Sequence, residues 1–393
     1  MSRTLPLLLA VLASAALLQS TLHRAAPTGT RAFARSDLPV YLAGAERVLA
    51  GQDPLGATSE RGWPYVYPPT LAVLLTPLLD LPPRVAAGLW FGVSLAALVA
   101  GMLAFRHALG RRGPFHWRAD GIPIALVFLS LASGLERGQV GPLLLGLAGL
   151  AFLALERRRD VLAGVLVALA AAIKVYPALL LVALALARRG RALAAGLTAL
   201  LVWILLLPAP FLGLKGSAQA STSYAGELVL RFARDPGSPQ LTDEHAFEIH
   251  INTNQSFTSQ VVRRTTGWPR LALLVLIAAG VLAPTLAACR HGPSPPSATA
   301  WALTLAATLL LSPVAWHHQH VLLWPALYLL ALRRERRLAS WSLALFAVLS
   351  TLHFGGKHTL LGDLGLLGLG TLLVGVALLI AEGQGDTRAP LRS

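Results

Sequence analysis

The chain has 393 residues, 55% of them hydrophobic and 13% charged, with 33 Lys and Arg against 18 Asp and Glu for a formal charge of +15. Soluble domains carry about 25% charged residues, so the composition excludes a soluble nucleic-acid binder, and it excludes disorder, which needs low hydrophobicity. A single cysteine, Cys289, excludes a disulfide scaffold, which leaves an all-α polytopic membrane protein occupying residues 1–393 as one integral domain.

Apolar runs of about 15–22 residues recur, close to what a bilayer core requires. Twelve are read as spans: 4–22, 85–105, 120–135, 139–155, 160–174, 175–187, 192–212, 270–289, 299–313, 319–332, 338–353 and 359–381. The first, behind Arg3, has the look of a signal peptide. It lacks a small-x-small cleavage site and is read as an uncleaved anchor.

A long polar segment follows at 23–84. Within it, Leu38, Tyr41, Leu42, Ala45, Val48 and Leu49 fall at helical spacing, predicting an amphipathic helix at the membrane surface with Ser36 as N-cap and Gly51 as the stop. Asp37 then lies in the first turn, where the helix dipole favours its ionised form. An acid there also serves simply to start a helix. Residues 67–82 are apolar enough to cross a membrane, but Pro68, Pro69, Pro77 and Pro82 interrupt them. They are predicted to form a short helix or re-entrant piece; a thirteenth span is the alternative.

Further on lie two short outer pieces, Glu136-Arg137-Gly138-Gln139 and His353-Phe354-Gly355-Gly356-Lys357-His358; the Gly pair makes the second a turn, and neither has a specific chemical signature. Lys174, followed by Tyr176-Pro177, is one of only three lysines. Such an ammonium either snorkels to the interface or marks a functional site. The second long polar segment, 213–269, holds Asn252-Thr253-Asn254-Gln255-Ser256 and Arg263-Arg264. Asn and Gln both donate and accept, which suits sugar hydroxyls, and an Arg such as Arg263 can clamp a phosphate or merely end the loop. Asn254-Gln255-Ser256 is also formally a glycosylation sequon. Before the tenth span stand Trp316, His317, His318 and His320. Their spacing fits no zinc motif. Imidazoles bonding a phosphate beside an interfacial Trp fit better, with solvated His and a belt aromatic as the plain reading.

The charges set the orientation. With the N-terminus inside, the inside loops hold 18 Arg, while the short outer loops hold only Arg137, Lys174 and Lys357. The positive-inside rule is counted over such short loops. Both termini are therefore expected in the cytoplasm and both long loops outside a plasma membrane of bacterial type. The chain has no phosphate-binding glycine-lysine loop, no dinucleotide fingerprint and no serine-nucleophile elbow.

In this order, Asp37 with Tyr41 and Gly51-Gln52-Asp53-Pro54, Tyr67-Pro68-Pro69, Gly138-Gln139, Lys174-Val175-Tyr176-Pro177, Asn254-Gln255-Ser256 with Arg263, and Ser312-Pro313-Val314-Ala315-Trp316-His317-His318 resemble glycosyltransferase family 87. That family comprises polyprenyl-phosphate-mannose-dependent mannosyltransferases of the membrane-embedded GT-C class. Gly141 departs from the family's frequent Asn, and the shifted His cluster leaves open which imidazole matters. The resemblance implies a GT-C fold of about 12 transmembrane helices whose two long outer loops carry short amphipathic helices. It implies a hexosyltransferase, most simply a mannosyltransferase, moving sugar from polyprenyl phosphate to a lipid or glycan hydroxyl with inversion. Asp37 is then the general base. Lys174, His318, His317 and Arg263 are the donor-phosphate ligands, and Tyr41, Tyr67, Gln139, Asn254, Gln255 and Trp316 line the substrate site. No metal or other cofactor is expected, because phosphate is already a fair leaving group. The rival readings are a lipid-linked sugar transporter or flippase and a non-catalytic scaffold subunit. Transporters favour midplane charges and inverted repeats, which this sequence lacks.

Overall fold

The computed structural model describes residues 4–24, 36–60, 62–230, 254–290, 296–333, 337–356 and 363–383. These residues are overwhelmingly helical. There is no strand among them, only two isolated bridges, Thr58 with Pro64 and Asn254 with Trp316. In chain order the main helices are α1 (Thr4–Arg24), α2 (Leu38–Leu49), α3 (Pro69–Leu75), α4 (Pro83–Ala108), α5 (Ile122–Glu136), α6 (Gly141–Glu156), α7 (Asp160–Ile173) and α8 (Leu179–Leu186). Then come α9 (Gly190–Leu201), α10 (Ala209–Tyr224), α11 (Phe257–Arg264), α12 (Gly267–Arg290), α13 (Ala298–Leu311), α14 (Trp324–Leu332), α15 (Arg337–Gly356) and α16 (Leu366–Gly383).

Every one of the twelve apolar runs carries helix in its described part, but length divides them. Four helices are long and apolar enough to cross a bilayer: Pro83–Ala108, Trp117–Glu136, Gly267–Arg290 and Arg337–Gly356. The pair Gly190–Leu206 and Ala209–Glu227, bent by 108°, would make a fifth if it is one broken span. The others are shorter apolar helices. Two of them, α6 and α13, are buried along most of their length, so protein rather than lipid surrounds them. The apolar run at 67–82 forms only the short helix Pro69–Leu78 before Pro83 opens α4. Ten helical residues reach about 15 Å, half of a ~30 Å hydrocarbon core.

Small residues let the central helices approach. α4 and α6 meet at Gly101, Gly146 and Gly149, where any Cβ would strike the facing backbone. The bundle has two chemically distinct ends. At one, Arg189 pairs with Asp160 at 3.4 Å, Arg157 meets His107, and Arg106 pairs with the buried Asp120 at 2.9 Å. Tyr328 also donates to Asp120, at 3.2 Å. The other ends of α4, α5, α6 and α7 carry the candidate site.

α2 forms where the spacing predicts, with Leu38, Tyr41, Ala45 and Val48 of the expected face buried; Val40 is buried as well, while Leu42 is only partly buried and Leu49 is exposed. Gly51 takes the left-handed region (φ 72°) just past its end. The N-cap differs from expectation. It is Asp37, not Ser36, and the Asp37 side chain makes no capping bond. The Ser36 hydroxyl instead accepts from Leu38 N–H at 3.4 Å. Asn252, Thr253, Lys357 and His358 lie outside the described residues.

Candidate active site

The site is organised by the turn that ends α5. Gly138 takes φ 70°, its N–H donates to Leu135 O at 3.1 Å, and Gln139 N–H donates to Gly134 O at 2.8 Å. This double bond pattern is the glycine C-terminal stop that an Arg-Gly-Gln sequence after a helix invites. Trp90 closes over the turn and donates from Nε1 to Gly138 O at 2.7 Å. A salt bridge of 3.1 Å from Arg24 to Glu136 ties the end of α1 to the same place.

That turn holds Asp37, a hundred residues earlier in the chain. Asp37 N–H donates to Arg137 O at 2.8 Å, and the Gln139 amide donates to the Asp37 carboxylate. Together they fix both the backbone and the carboxylate plane. The carboxylate therefore takes part in tertiary contacts instead of capping its own helix.

One turn along α2, Tyr41 is fully buried and its hydroxyl lies 3.2 Å from that of Tyr67. Their rings meet edge to face at 5.0 Å. Tyr65 shapes the corner that carries Tyr67, donating to Pro68 O at 2.7 Å and accepting from Ala72 N–H at 3.0 Å. Burial raises both the Tyr41 and Tyr67 phenols well above their ordinary range, and the Asp37 charge raises them further. Both stay protonated and can donate.

Lys174 arrives from α7. It is the first residue past that helix, in an extended conformation, and Pro177 prevents α7 from running straight into α8. Its Nζ lies over the rings of Tyr67 and Tyr176, at 5.1 and 5.5 Å from their centroids. The Asp37 carboxylate is near enough to attract it.

The third wall is the loop after α13. His317 is 2.9 Å from the Ser133 hydroxyl, its ring edge-on to His318 at 5.4 Å, with His353 at 6.2 Å. His320 turns to the Trp316 carbonyl at 3.1 Å. His318 is buried, and neither of its ring nitrogens has a hydrogen-bond partner among the described residues. Burial pushes its imidazole well below the usual range, and the charges of His317, Lys174 and Arg137 act in the same direction. A neutral ring has one donor and one acceptor. Of His317, His318 and His320, His318 is the one with neither ring nitrogen hydrogen-bonded to the described protein, whereas His317 and His320 each commit one. Among the described residues, no group of three or more His, Cys, Asp or Glu is arranged to hold a metal ion.

The arrangement therefore unites a carboxylate, an ammonium, two phenols and a neutral imidazole from four separate chain segments. The sequence profile of glycosyltransferase family 87 matches residues 65–313, well over half of the chain. The chain belongs to glycosyltransferase family 87. A comparison with curated proteins gives no match. The matched stretch of this membrane glycosyltransferase includes Tyr67, Gln139, Lys174, Asn254, Gln255 and Arg263. Asp37, Tyr41, Trp316, His317 and His318 lie outside it and join it through the contacts above.

The glycosyltransferase uses several other expected site residues to hold its own backbone. Asn254 is fully buried; it donates to Pro313 O at 3.0 Å and accepts from Ser256 N–H at 3.2 Å and Ala315 N–H at 3.0 Å. Gln255 N–H donates to Ala315 O at 2.8 Å, and its side chain accepts from Leu367 N–H at 3.3 Å. Trp316 faces Asn254 in an isolated bridge, and its carbonyl accepts from Gln319 N–H at 2.9 Å. Arg263 pairs with Asp363 at 3.0 Å. These contacts clasp the 312–316 loop to α11 and α16. Gln319 and Ser133 were not singled out from sequence. The one signal for Gln319 is an amide inside the His cluster, at the head of an apolar run.

Proposed function

We propose that this glycosyltransferase moves a hexose, most simply mannose, from a polyprenyl-phosphate sugar to a hydroxyl of a lipid or glycan acceptor. The reaction takes place at the outer face of a plasma membrane, with inversion. The observation that carries the reading is one cluster: Gln139 holds the Asp37 carboxylate, Tyr41 one turn along α2 meets Tyr67, and Lys174 Nζ lies over the Tyr67 ring, with His318 within its electrostatic reach. A base must be ionised and positioned, and the departing group needs charge stabilisation; the two needs are served by separate residues here.

In this mechanism the acceptor hydroxyl gives its proton to the Asp37 carboxylate as its oxygen attacks the anomeric carbon. The bond from that carbon to the phosphate oxygen breaks on the opposite face. The phosphate leaves with one more negative charge than it had in the donor. Lys174 compensates that charge, and His318, neutral, offers a hydrogen bond. Tyr41 and Tyr67 supply hydroxyls at the boundary between base and ammonium.

Membrane geometry supports a lipid donor. α7 has 14 residues, about 21 Å at 1.5 Å per residue. A helix of that length along the membrane normal would carry Lys174 about 20 Å from the Arg-rich turn before α7, within a hydrocarbon layer ~30 Å thick. A phosphate on a bilayer-anchored tail can reach that depth. The positive-inside rule favours the cytoplasm for the Arg-rich end, which supports a site at the outer end.

The test uses purified protein in nanodiscs with radiolabelled polyprenyl-phosphate mannose, the matching glucose donor, a nucleotide-sugar control and membrane lipid extract as acceptor. Transfer from the polyprenyl donor with inverted anomeric configuration is expected. Transfer from the nucleotide sugar alone overturns the donor assignment, and retained configuration overturns the mechanism. Counterflow of donor without product supports a flippase and overturns transfer.

A further inference from the structure

The chemistry of Lys174 depends on where its ammonium is held. Its flexible stem has four carbons and its head three donors. Two aromatic rings border that head but cannot fix its direction. The directional partner is Gln319. This residue is 1% exposed, so its amide must find partners within the protein. Its two neighbours are a carbonyl, which only accepts, and an ammonium, which only donates. They leave one orientation: Nε2 donates to Val314 O at 3.0 Å and Oε1 accepts from Lys174 Nζ at 3.0 Å.

We propose that Gln319 is a positioning residue, whose side-chain oxygen aims the Lys174 ammonium at the departing phosphate while leaving its charge uncancelled. The proposal rests on the lipid-phosphate reading above. An amide suits the task because it is neutral. A carboxylate at this position would hold the ammonium as firmly but would pair with it, and the phosphate would meet a neutralised site. Gln319 also joins two walls of the site. Its backbone N–H starts the turn that carries His318, by donating to Trp316 O at 2.9 Å, while its side chain spans from Val314 to Lys174. The 312–316 loop, clasped by Asn254 and Gln255, thereby sets the ammonium's place.

The experiment compares wild type, Gln319→Glu and Gln319→Met in nanodiscs. Lys174 is one of three lysines, so amine-reactive labelling across pH, read by peptide mass spectrometry, follows it individually. Asp37, Tyr67, Tyr176 and His318 face this lysine and are unchanged in all three proteins. Glu matches Gln in shape but cannot donate to Val314 O, so a modest fall in the unfolding midpoint is expected and each variant is assayed as folded protein. Gln319→Glu should move the Lys174 labelling midpoint up by about one pH unit or more, since a contacting opposite charge favours the protonated form. Its kcat/KM for the donor should fall about tenfold or more, because the charge offered to the phosphate is cancelled. Gln319→Met should lose activity without raising the midpoint. A Gln319→Glu protein with wild-type labelling and wild-type kcat/KM overturns the inference. A wild-type protein inactive with every polyprenyl-phosphate donor overturns the functional reading instead, and the labelling shift still reports the Gln319–Lys174 contact.

Discussion

Replacing Asp37 by Asn separates catalysis from folding, because the structure divides its roles so cleanly. The backbone bonds at this position, Asp37 N–H to Arg137 O at 2.8 Å and Val40 N–H to Asp37 O at 3.0 Å, do not involve the side chain. The side chain makes no capping bond, so no helix cap is lost. Asn keeps the shape and an oxygen that can still accept from Gln139. What changes in that contact is a charge-assisted bond becoming a neutral one, a difference of about 1 kcal/mol. The substitution should leave expression, membrane insertion and the unfolding midpoint close to wild type. A positioned general base contributes about 10²–10⁴-fold, or about 3–5 kcal/mol of barrier, and Asn cannot take the proton. Transfer measured with saturating polyprenyl-phosphate sugar in nanodiscs should fall by that factor with little change in donor KM. A rate above one tenth of wild type, from well-folded protein, would refute the assignment of Asp37 as base.

Lys174→Met should raise donor KM and lower kcat, since a charged hydrogen bond contributes about 1.5–3 kcal/mol; unchanged steady-state constants for the donor would remove Lys174 from the phosphate site. Arg263 pairs with Asp363 through Nη1, while its Nε and Nη2 have no hydrogen-bond partner among the described residues. Arg263→Gln should raise donor KM about tenfold where those groups meet the phosphate, at about 1.5–3 kcal/mol for a charged hydrogen bond; an unchanged donor KM would leave Arg263 a structural pair only. Asn254→Ala removes three hydrogen bonds from a fully buried position and should cost about 3 kcal/mol at roughly 1 kcal/mol per bond. Thermal unfolding should show the loss, whereas an unchanged midpoint with lost activity would put Asn254 on the substrate.

Which residues were legible from sequence follows from what fixes each of them. The amphipathic face of α2 is local: its burial obeys a 3.6-residue period that any reader of 36–51 can mark. The Arg137-Gly138-Gln139 stop is local too, since a left-handed residue past a helix calls for glycine, but a lone Gly between polar residues carries too little signal to be read as a stop before the helix end is known. The break at Lys174 follows from Pro177, which removes a backbone donor and bars a continuous helix. Helix number is less local. A run such as 299–313 reads as a span by hydropathy, yet its helix is enclosed by other helices along most of its 14 residues, and hydropathy does not distinguish enclosure by protein from enclosure by lipid.

The polar residues were hardest, and the reason is chemical. Asn254, Gln255, Gln139 and Gln319 are all amides capable of donating and accepting. From sequence alone an amide near a predicted site looks like a sugar ligand. Buried amides must find partners, and most side-chain hydrogen bonds go to backbone or water. Asn254 and Gln255 follow that rule, bonding the 312–316 loop and the start of α16. Gln139 and Gln319 break it. Each bonds a charged side chain, one the carboxylate and the other the ammonium. Composition does not separate these two pairs, because the choice depends on contacts between segments far apart in the chain. The division also gives the site its logic: two neutral amides set the direction of two opposite charges without cancelling either. Under the proposed mechanism Asp37 and Lys174 then act separately, one on the attacking hydroxyl and the other on the departing phosphate.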